Sequence, residues 1–233
     1  MLEVEKLRVA YGASEVLFGI SLSIGAGEMV TLLGRNGMGK TTTIKTIMGM
    51  LKAQEGHIWL DGDELTGLPS FKVAQAGVGL VPEGRQIFPN LSVRENLIAT
   101  AANRHANPSP WTEPRVLAMF PELEQRLGIA GSQLSGGEQQ MLAIGRALMT
   151  NPKLLVFDEA TEGLAPLVRK KIWQCLRTLR EQGLSLLVVD KNISELLTLA
   201  DRHYIIEKGL IVWSGNSLDL TQARDVQQRY LGV

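Results

Sequence analysis

Residues 34–41 decide the fold of this chain, and they read Gly34-Arg35-Asn36-Gly37-Met38-Gly39-Lys40-Thr41. The segment matches the pattern G-x-x-x-x-G-K-[ST], in which glycines let backbone N–H groups curl around phosphates, the lysine reaches the terminal phosphates and the hydroxyl holds Mg²⁺. An apolar run of strand type, Met29 to Leu33, comes before it, and Thr41 to Met50 reads as a helix. Because strand, loop and helix follow in the required order, the segment predicts a phosphate-binding loop.

A second glycine-containing segment, Leu134-Ser135-Gly136-Gly137-Glu138, stands about a hundred residues later. Ser135 and Glu138 have the S-x-x-E spacing of a capping box, and the two glycines between them leave the first N–H groups of the following helix uncovered. Such a helix end attracts anions. Since the phosphate loop already holds one nucleotide, a second phosphate cradle suggests that two chains share their nucleotides.

An acidic pair, Asp158-Glu159, ends the apolar run Leu154 to Phe157. Phosphoryl transfer needs neutralisation of charge more than covalent chemistry, and a carboxylate at a strand end can hold Mg²⁺ directly or through water. The alternative for an acidic pair by itself is a solvated loop start. Together with the two glycine-containing segments, the pair predicts an ATPase.

These three segments make the chain resemble the ATP-binding cassette (ABC) ATPases, whose signature LSGGQ appears here as Leu134 to Glu138, and the resemblance covers essentially the whole chain. It implies ATP and Mg²⁺ as ligands, Lys40 at the transferred phosphates, Thr41 and Asp158 at the metal ion, and Glu159 as general base. It also implies a head-to-tail dimer in which the signature of one subunit closes over the ATP of the other. The nucleotide contacts expected on this basis are Tyr11, Gly34, Arg35, Asn36, Gly37, Met38, Gly39, Lys40, Thr41, Thr42, Ser135, Gly136 and Gly137.

Two positions depart from the usual residues of this family. Glu83 follows the strand-like run Val78 to Val81, where the family usually has a glutamine that senses Mg²⁺. Lys191 follows the run Ser185 to Val189, where the family usually has a histidine touching the γ phosphate. Because the two charge changes cancel, we predict that Glu83, as a metal ligand, and Lys191, as a catalytic cation, form a compensating pair facing the γ phosphate. The alternative is that each points into solvent.

Two further segments, Pro82-Glu83-Gly84-Arg85 and Gly163-Leu164-Ala165-Pro166, resemble the shorter ATPase subunit of branched-chain amino-acid importers. That likeness implies a subunit that energises uptake of branched-chain or related hydrophobic amino acids at the cytoplasmic face of the inner membrane. Its expected partners are a homologous or identical ATPase subunit, membrane permease subunits and, indirectly, a solute-binding protein. The alternatives are an importer for urea, amides or another small solute, a non-transport ABC ATPase, and a regulatory cassette that binds ATP without hydrolysing it.

The pattern predicts one α/β domain over residues 1–233, with the fold of a P-loop NTPase. The central sheet is expected to be mainly parallel and to contain Met29 to Leu33, Val78 to Val81, Leu154 to Phe157 and Ser185 to Val189, which are nearly all apolar. A small antiparallel β subdomain is expected from Leu2 to Val9, Val16 to Ile24 and His57 to Leu60. A helical subdomain is expected as an insertion from about Leu91 to Met149, with Ser92 and Glu95 forming a capping box.

Composition narrows the classes of partner. Lys plus Arg and Asp plus Glu are both 24, so no basic surface of the kind that attracts nucleic acid is expected. The three histidines show no metal-ligand spacing, so no transition metal is expected. No apolar run approaches the roughly 18 residues of a bilayer span and no signal segment begins the chain, so we expect a soluble protein inside the cell. Cys175 is expected in the core, and Trp111 either packs against its own loop or contacts a partner.

Overall fold

The computed structural model describes residues 1–232, so Val233, the last residue of the predicted domain, lies outside the described residues. The strands are β1 Leu2–Tyr11, β2 Ser14–Ile24, β3 Met29–Leu33, β4 Glu55–Leu60, β5 Asp63–Glu64, β6 Val78–Val81, β7 Leu154–Asp158, β8 Ser185–Val189, β9 Arg202–Glu207 and β10 Leu210–Gly215. They form an antiparallel sheet in the order β2-β1-β4-β5 and a mixed sheet in the order β10-β9-β3-β8-β7-β6. The predicted α/β fold with a mainly parallel central sheet and a separate antiparallel sheet is confirmed.

The central sheet brings the ends of several strands to one edge. Strands β3, β7 and β8 are buried along their whole length, since both faces of this sheet are covered. Parallel pairing joins β3 to β8, β8 to β7 and β7 to β6, with Asp158 opposite Val189. The residues that follow β3, β6, β7 and β8 therefore meet at the same edge, and these are the phosphate loop and the segments that carry Glu83, Glu159 and Lys191.

Strands β5, β9 and β10 were not among the predicted elements. Strand β9 lies parallel to β3 and extends the central sheet, and β10 pairs with it antiparallel. His203, on β9, is fully buried between two hydroxyl groups. The hydroxyl of Thr31 lies 2.7 Å from Nδ1, and the hydroxyl of Ser217 lies 2.9 Å from Nε2. Burial lowers the pKa of His203 to about 4, so a neutral imidazole joins β3 to the last part of the chain at neutral pH.

The helices are α1 Lys40–Ile47, α2 Ser70–Ala76, α3 Val93–Ile98, α4 Glu113–Met119, α5 Pro121–Glu124, α6 Gly136–Leu148, α7 Pro166–Glu181, α8 Ile193–Leu199, α9 Ser217–Gln222 and α10 Arg224–Val226. The predicted helix Thr41 to Met50 is too long at its end, because Gly49 turns the chain with a φ of 67°. A side chain at Gly49 would meet the carbonyl oxygen of Leu68 at 2.3 Å, so the turn requires glycine. Within residues 1–232, none of the helices combines the length and apolar content of a membrane span.

Helices α3 to α6 lie between β6 and β7, in the segment where a helical subdomain is predicted; its bounds as a unit stay a prediction. The capping box at Ser92 and Glu95 is present. Trp111 is buried, its backbone N–H donates to Oδ1 of Asn151 at 2.6 Å, and the guanidinium of Arg115 lies 4.0 Å from its ring centroid. These contacts favour the alternative in which Trp111 packs against its own part of the chain. Cys175 is buried in the same core, as predicted.

Candidate active site

The phosphate loop joins β3 to α1 through a backbone that only glycine adopts readily. Gly34, Gly37 and Gly39 have φ of 149°, 78° and 114°. A Cβ at Gly34 would lie 2.4 Å from the carbonyl oxygen of Ile206 on β9, so the loop packs closely against that strand. Helix α1 starts after Gly39 without a side-chain cap, which leaves the N–H groups of its first turn available to an anion.

Lys40 begins α1 and places its ammonium at this loop. Its Nζ donates to the carbonyl oxygens of Gly34 at 2.9 Å and Arg35 at 3.1 Å, and it lies 3.8 Å from Oε1 of Glu159. Burial lowers the pKa of Lys40, and the neighbouring Glu159 carboxylate opposes that shift. The loop therefore carries a mostly buried cation beside the carboxylate that follows β7.

Asp158 and Thr41 form the part of the site that suits a divalent cation. Asp158 is buried at the end of β7, and its Oδ1 has no hydrogen-bond partner among the described residues. Burial and then the Glu83 carboxylate raise the pKa of Asp158, while the Thr41 hydroxyl and Lys40 lower it. An orphaned carboxylate oxygen beside a hydroxyl and a second carboxylate is an all-oxygen donor set of the kind that Mg²⁺ prefers. The residues present therefore fit the expected metal ion.

Glu159 stands in a strained backbone conformation that directs it into the cleft. Its φ is 51°, in the left-handed region, and its N–H donates to the carbonyl oxygen of Val189 at 2.8 Å, which prolongs the pairing of β7 with β8. Its Oε2 lies 3.2 Å from Nζ of Lys191, and Lys40 faces its other oxygen. Burial and contact with Glu162 raise the pKa of Glu159, and the two lysines lower it.

Glu83 and Lys191 both line one cleft of about 330 Å³ with Lys40 and Thr41. Both side chains are also exposed to solvent, so the compensating pair and its alternative both stay predictions. Lys191 forms ion pairs with Glu159 and with Glu162, at 2.6 Å, and the ion pairs of residues 1–232 include none between Lys191 and Glu83. Any compensation between the two must therefore act across the cleft rather than through a direct pair.

The signature segment forms the N-terminal end of helix α6. The N–H of Ser135 donates to Oε2 of Glu138 at 2.8 Å, and the N–H of Glu138 donates to Oγ of Ser135 at 3.3 Å, so the predicted capping box is present. A Cβ at Gly136 would lie 2.8 Å from the guanidinium of Arg85, and a Cβ at Gly137 would lie 2.8 Å from Val168. Within the part of the chain that the structure describes, no signature residue lines the phosphate-loop cleft.

The predicted nucleotide contacts are not all brought together. Asn36, Gly37, Gly39 and Thr42 line the cleft with Lys40 and Thr41. Tyr11 is 48% exposed at the end of β1, and neither it nor Arg35 nor Met38 is among the described residues of the lining. Met38 supports the loop instead, because its carbonyl oxygen accepts from the N–H of Gly209 at 2.9 Å.

Two residues of the cleft were missed or placed differently by the sequence reading. Val16, on β2, lines the cleft, and no motif marks it. Glu162, in the loop that follows β7, also lines the cleft and was not among the predicted site residues. Its position four residues after Asp158, in the loop that follows a buried strand, was the signal that could have identified it.

Comparison with known proteins identifies the family. The family model described as ABC transporter matches residues 17–162. The high-affinity branched-chain amino acid transport ATP-binding protein BraG of Pseudomonas aeruginosa is 40% identical over 232 residues, with 100% of both chains covered. The lipopolysaccharide export system ATP-binding protein LptB of Escherichia coli is 35% identical over 233 residues, which cover 99% of this chain and 97% of LptB.

A solved structure gives the same answer for the fold. It is the dimeric post-hydrolysis state of an ATP-binding cassette bound to ADP and Pi, and it superposes with a TM-score of 0.80 at 26% identity, covering 93% of this chain and 99% of that one. The family model, the full-length relatives and the superposition agree with the arrangement of the phosphate loop, the acidic pair and the signature helix. The chain belongs to the ABC transporter family and is the ATPase subunit of a transporter.

Proposed function

We propose that this subunit energises the uptake of branched-chain or related hydrophobic amino acids through a membrane ABC importer. The observation that carries the proposal is the similarity to BraG, a branched-chain amino acid transport protein, which extends over both full chains at 40% identity. The segments Pro82 to Arg85 and Gly163 to Pro166 support it, because they are the ones that resemble the shorter ATPase subunit of such importers. The transported solute would not touch this chain.

In the proposed reaction, Lys40 and the N–H groups of the phosphate loop bind and orient the β and γ phosphates. Thr41, Asp158 and Glu83 would hold Mg²⁺, which when bound supplies neutralisation of phosphate charge. Glu159 accepts the proton of the attacking water at its carboxylate. Lys191 provides a fixed cation where charge develops during transfer.

The nucleotide site would be completed by a second ATPase subunit, homologous or identical. Ser135, exposed at the start of α6, does not line the cleft of its own chain among residues 1–232, so it is available to a partner's nucleotide. The dimeric form of the ADP-bound cassette is consistent with such an assembly. Membrane permease subunits would hold the pair at the cytoplasmic face of the inner membrane, and a solute-binding protein would act indirectly.

Export of lipopolysaccharide is the second candidate, because LptB matches nearly as much of the chain, at 35% identity. Importers for urea, amides or other small solutes are further alternatives. These functions share the same nucleotide chemistry and differ in the permeases that the ATPase energises.

The test is to copurify the chain with its membrane partners, reconstitute the assembly in proteoliposomes and measure ATPase activity. We expect a branched-chain amino acid, delivered by its binding protein, to raise the rate. If no amino acid changes the ATPase rate and urea, amides or lipopolysaccharide raise it, the proposed substrate class is contradicted. The conclusion that the chain is an ATPase would still stand.

A further inference from the structure

The loops that follow β7 and β8 are tied to each other by residues outside the lining of the phosphate-loop cleft. The hydroxyl of Thr161, a buried residue, donates to Oδ2 of Asp190 at 2.6 Å. The other oxygen of Asp190 accepts from the N–H of Asn192 at 3.0 Å. Asp190 thus fixes the backbone on both sides of Lys191 relative to the loop that contains Glu159 and Glu162.

Lys191 bridges two carboxylates of that neighbouring loop. Its Nζ lies 2.6 Å from Oε1 of Glu162 and 3.2 Å from Oε2 of Glu159. Glu159 is mostly buried, whereas Lys191 and Glu162 are each about half exposed, at 49% and 50%. One partner of the ammonium therefore belongs to the reaction site, and the other lies at its rim.

We propose that Glu162 is a positioning residue that acts within its own chain by holding Lys191 against Glu159. A lysine on a flexible four-carbon stem loses much rotamer freedom when it is held in one place. With two carboxylates on the same loop, the ammonium has one position that satisfies both, and in that position it contacts Oε2 of Glu159. This inference rests on the proposed function, in which Glu159 receives the proton of the attacking water.

A surface ion pair of no functional consequence is the alternative, since exposed pairs contribute little to stability. A surface ion pair and a positioning residue differ in the kinetic constants that they change. A surface pair would leave both kcat and KM untouched when Glu162 loses its charge. A positioning residue would lower kcat and leave nucleotide affinity alone, because Glu162 acts on Glu159, through Lys191 and through its own contact with that carboxyl group.

The experiment compares Glu162→Gln, Glu162→Asp, Lys191→Met and the double variant Glu162→Gln/Lys191→Met in the full chain. Steady-state ATP hydrolysis gives kcat and KM, and a fluorescent ATP analogue gives nucleotide affinity independently of turnover. We expect Glu162→Gln to lower kcat about tenfold, as a misplaced catalytic group does, with nucleotide affinity within a factor of about two. Glu162→Asp, which keeps the charge, should recover part of the loss.

In the Lys191→Met background, the substitution Glu162→Gln should lower kcat by clearly less than in the unaltered chain, because Lys191 is gone and only the contact of Glu162 with Glu159 remains. The matched control is Asp61→Asn, which removes the carboxylate of another half-exposed pair, 2.8 Å from Nζ of Lys153, and should leave kcat unchanged.

Each of three results would overturn this inference and leave the proposed function intact. They are full activity in Glu162→Gln, an equal loss from Glu162→Gln with and without Lys191, and weakened nucleotide affinity at unchanged kcat. If the unaltered chain hydrolyses no ATP, alone or with its partners, the proposed function fails first and this inference falls with it.

Discussion

The phosphate loop and the signature turn both contain glycines and both lead into a helix. They differ in whether side chains cap the first N–H groups of that helix. In the phosphate loop, Gly39 precedes α1 without any side-chain cap, and Lys40 lies at the opening. In the signature turn, Ser135 and Glu138 cap α6 with their own side chains. The first entry is open and surrounded by charged groups, and the second is capped and exposed. The difference fits the proposal that the phosphate loop binds the nucleotide of its own chain and that the signature turn contacts the nucleotide of a partner.

The largest effect expected in the phosphate-loop cleft is that of Glu159→Gln. It should slow ATP turnover by about 10² to 10⁴ fold, the usual contribution of a positioned general base, and leave ATP binding intact. Since shared nucleotides would no longer be consumed, ATP and Mg²⁺ should trap the variant as a dimer, which measurements of mass in solution would detect. The control is Glu181→Gln, at the exposed end of α7, which should behave as the unaltered chain. Normal turnover in Glu159→Gln would show that another group is the base.

Lowering the pH should reduce the free energy of unfolding, because His203 contacts Thr31 on β3, the strand that precedes the phosphate loop. His203 has a pKa of about 4 when folded and an ordinary value of 6.5, so the unfolded chain binds the additional proton. Its contribution to stability is therefore present above about pH 6.5 and is lost as the pH falls towards 4, by up to about 3 kcal/mol. Urea unfolding at pH 7 and pH 5 should show this loss.

The variant His203→Gln should be less stable at pH 7 and should lose less stability between pH 7 and pH 5. His105→Gln, at an exposed histidine, should keep the pH dependence of the unaltered chain. Equal pH dependence in all three proteins would contradict the assignment to His203.

A smaller effect is expected from the two unusual charges of the cleft. Lys191→Ala should raise the barrier to hydrolysis by about 1 to 3 kcal/mol, within the range for a lost electrostatic donor. In that background, Glu83→Gln should partly restore the rate, because it removes a carboxylate that has lost its counter-charge beside the triphosphate. A double-mutant cycle measures the coupling, and effects that add within about 0.5 kcal/mol would mean that the two residues act independently.

The sequence was most informative where a motif determines its own local structure. The glycines of the phosphate loop and the serine and glutamate of the signature act on the backbone within a few residues, so both segments were predicted. The family resemblance also predicted Glu83 and Lys191 near the γ phosphate, and both line one cleft with Lys40. The ion pair of Lys191 with Glu162 was out of reach, because it depends on two loops 29 residues apart and on side-chain conformations. Strand β9 was missed because Arg202, His203 and Glu207 leave only a three-residue apolar run in the sequence, and the segment becomes a strand through pairing with β3.

Nucleotide binding by two variants shows whether the signature turn contacts the nucleotide of another subunit. Lys40→Ala removes the cation of the chain's own cradle and should weaken ATP binding to the isolated chain. Ser135→Arg should abolish hydrolysis and leave that binding unchanged. Asn216→Arg is the matched control, since Asn216 caps α9 with the same kind of box and is also exposed, and it should alter neither property. Equal loss of ATP affinity in Lys40→Ala and Ser135→Arg would contradict the account, because it would place both cradles in one pocket.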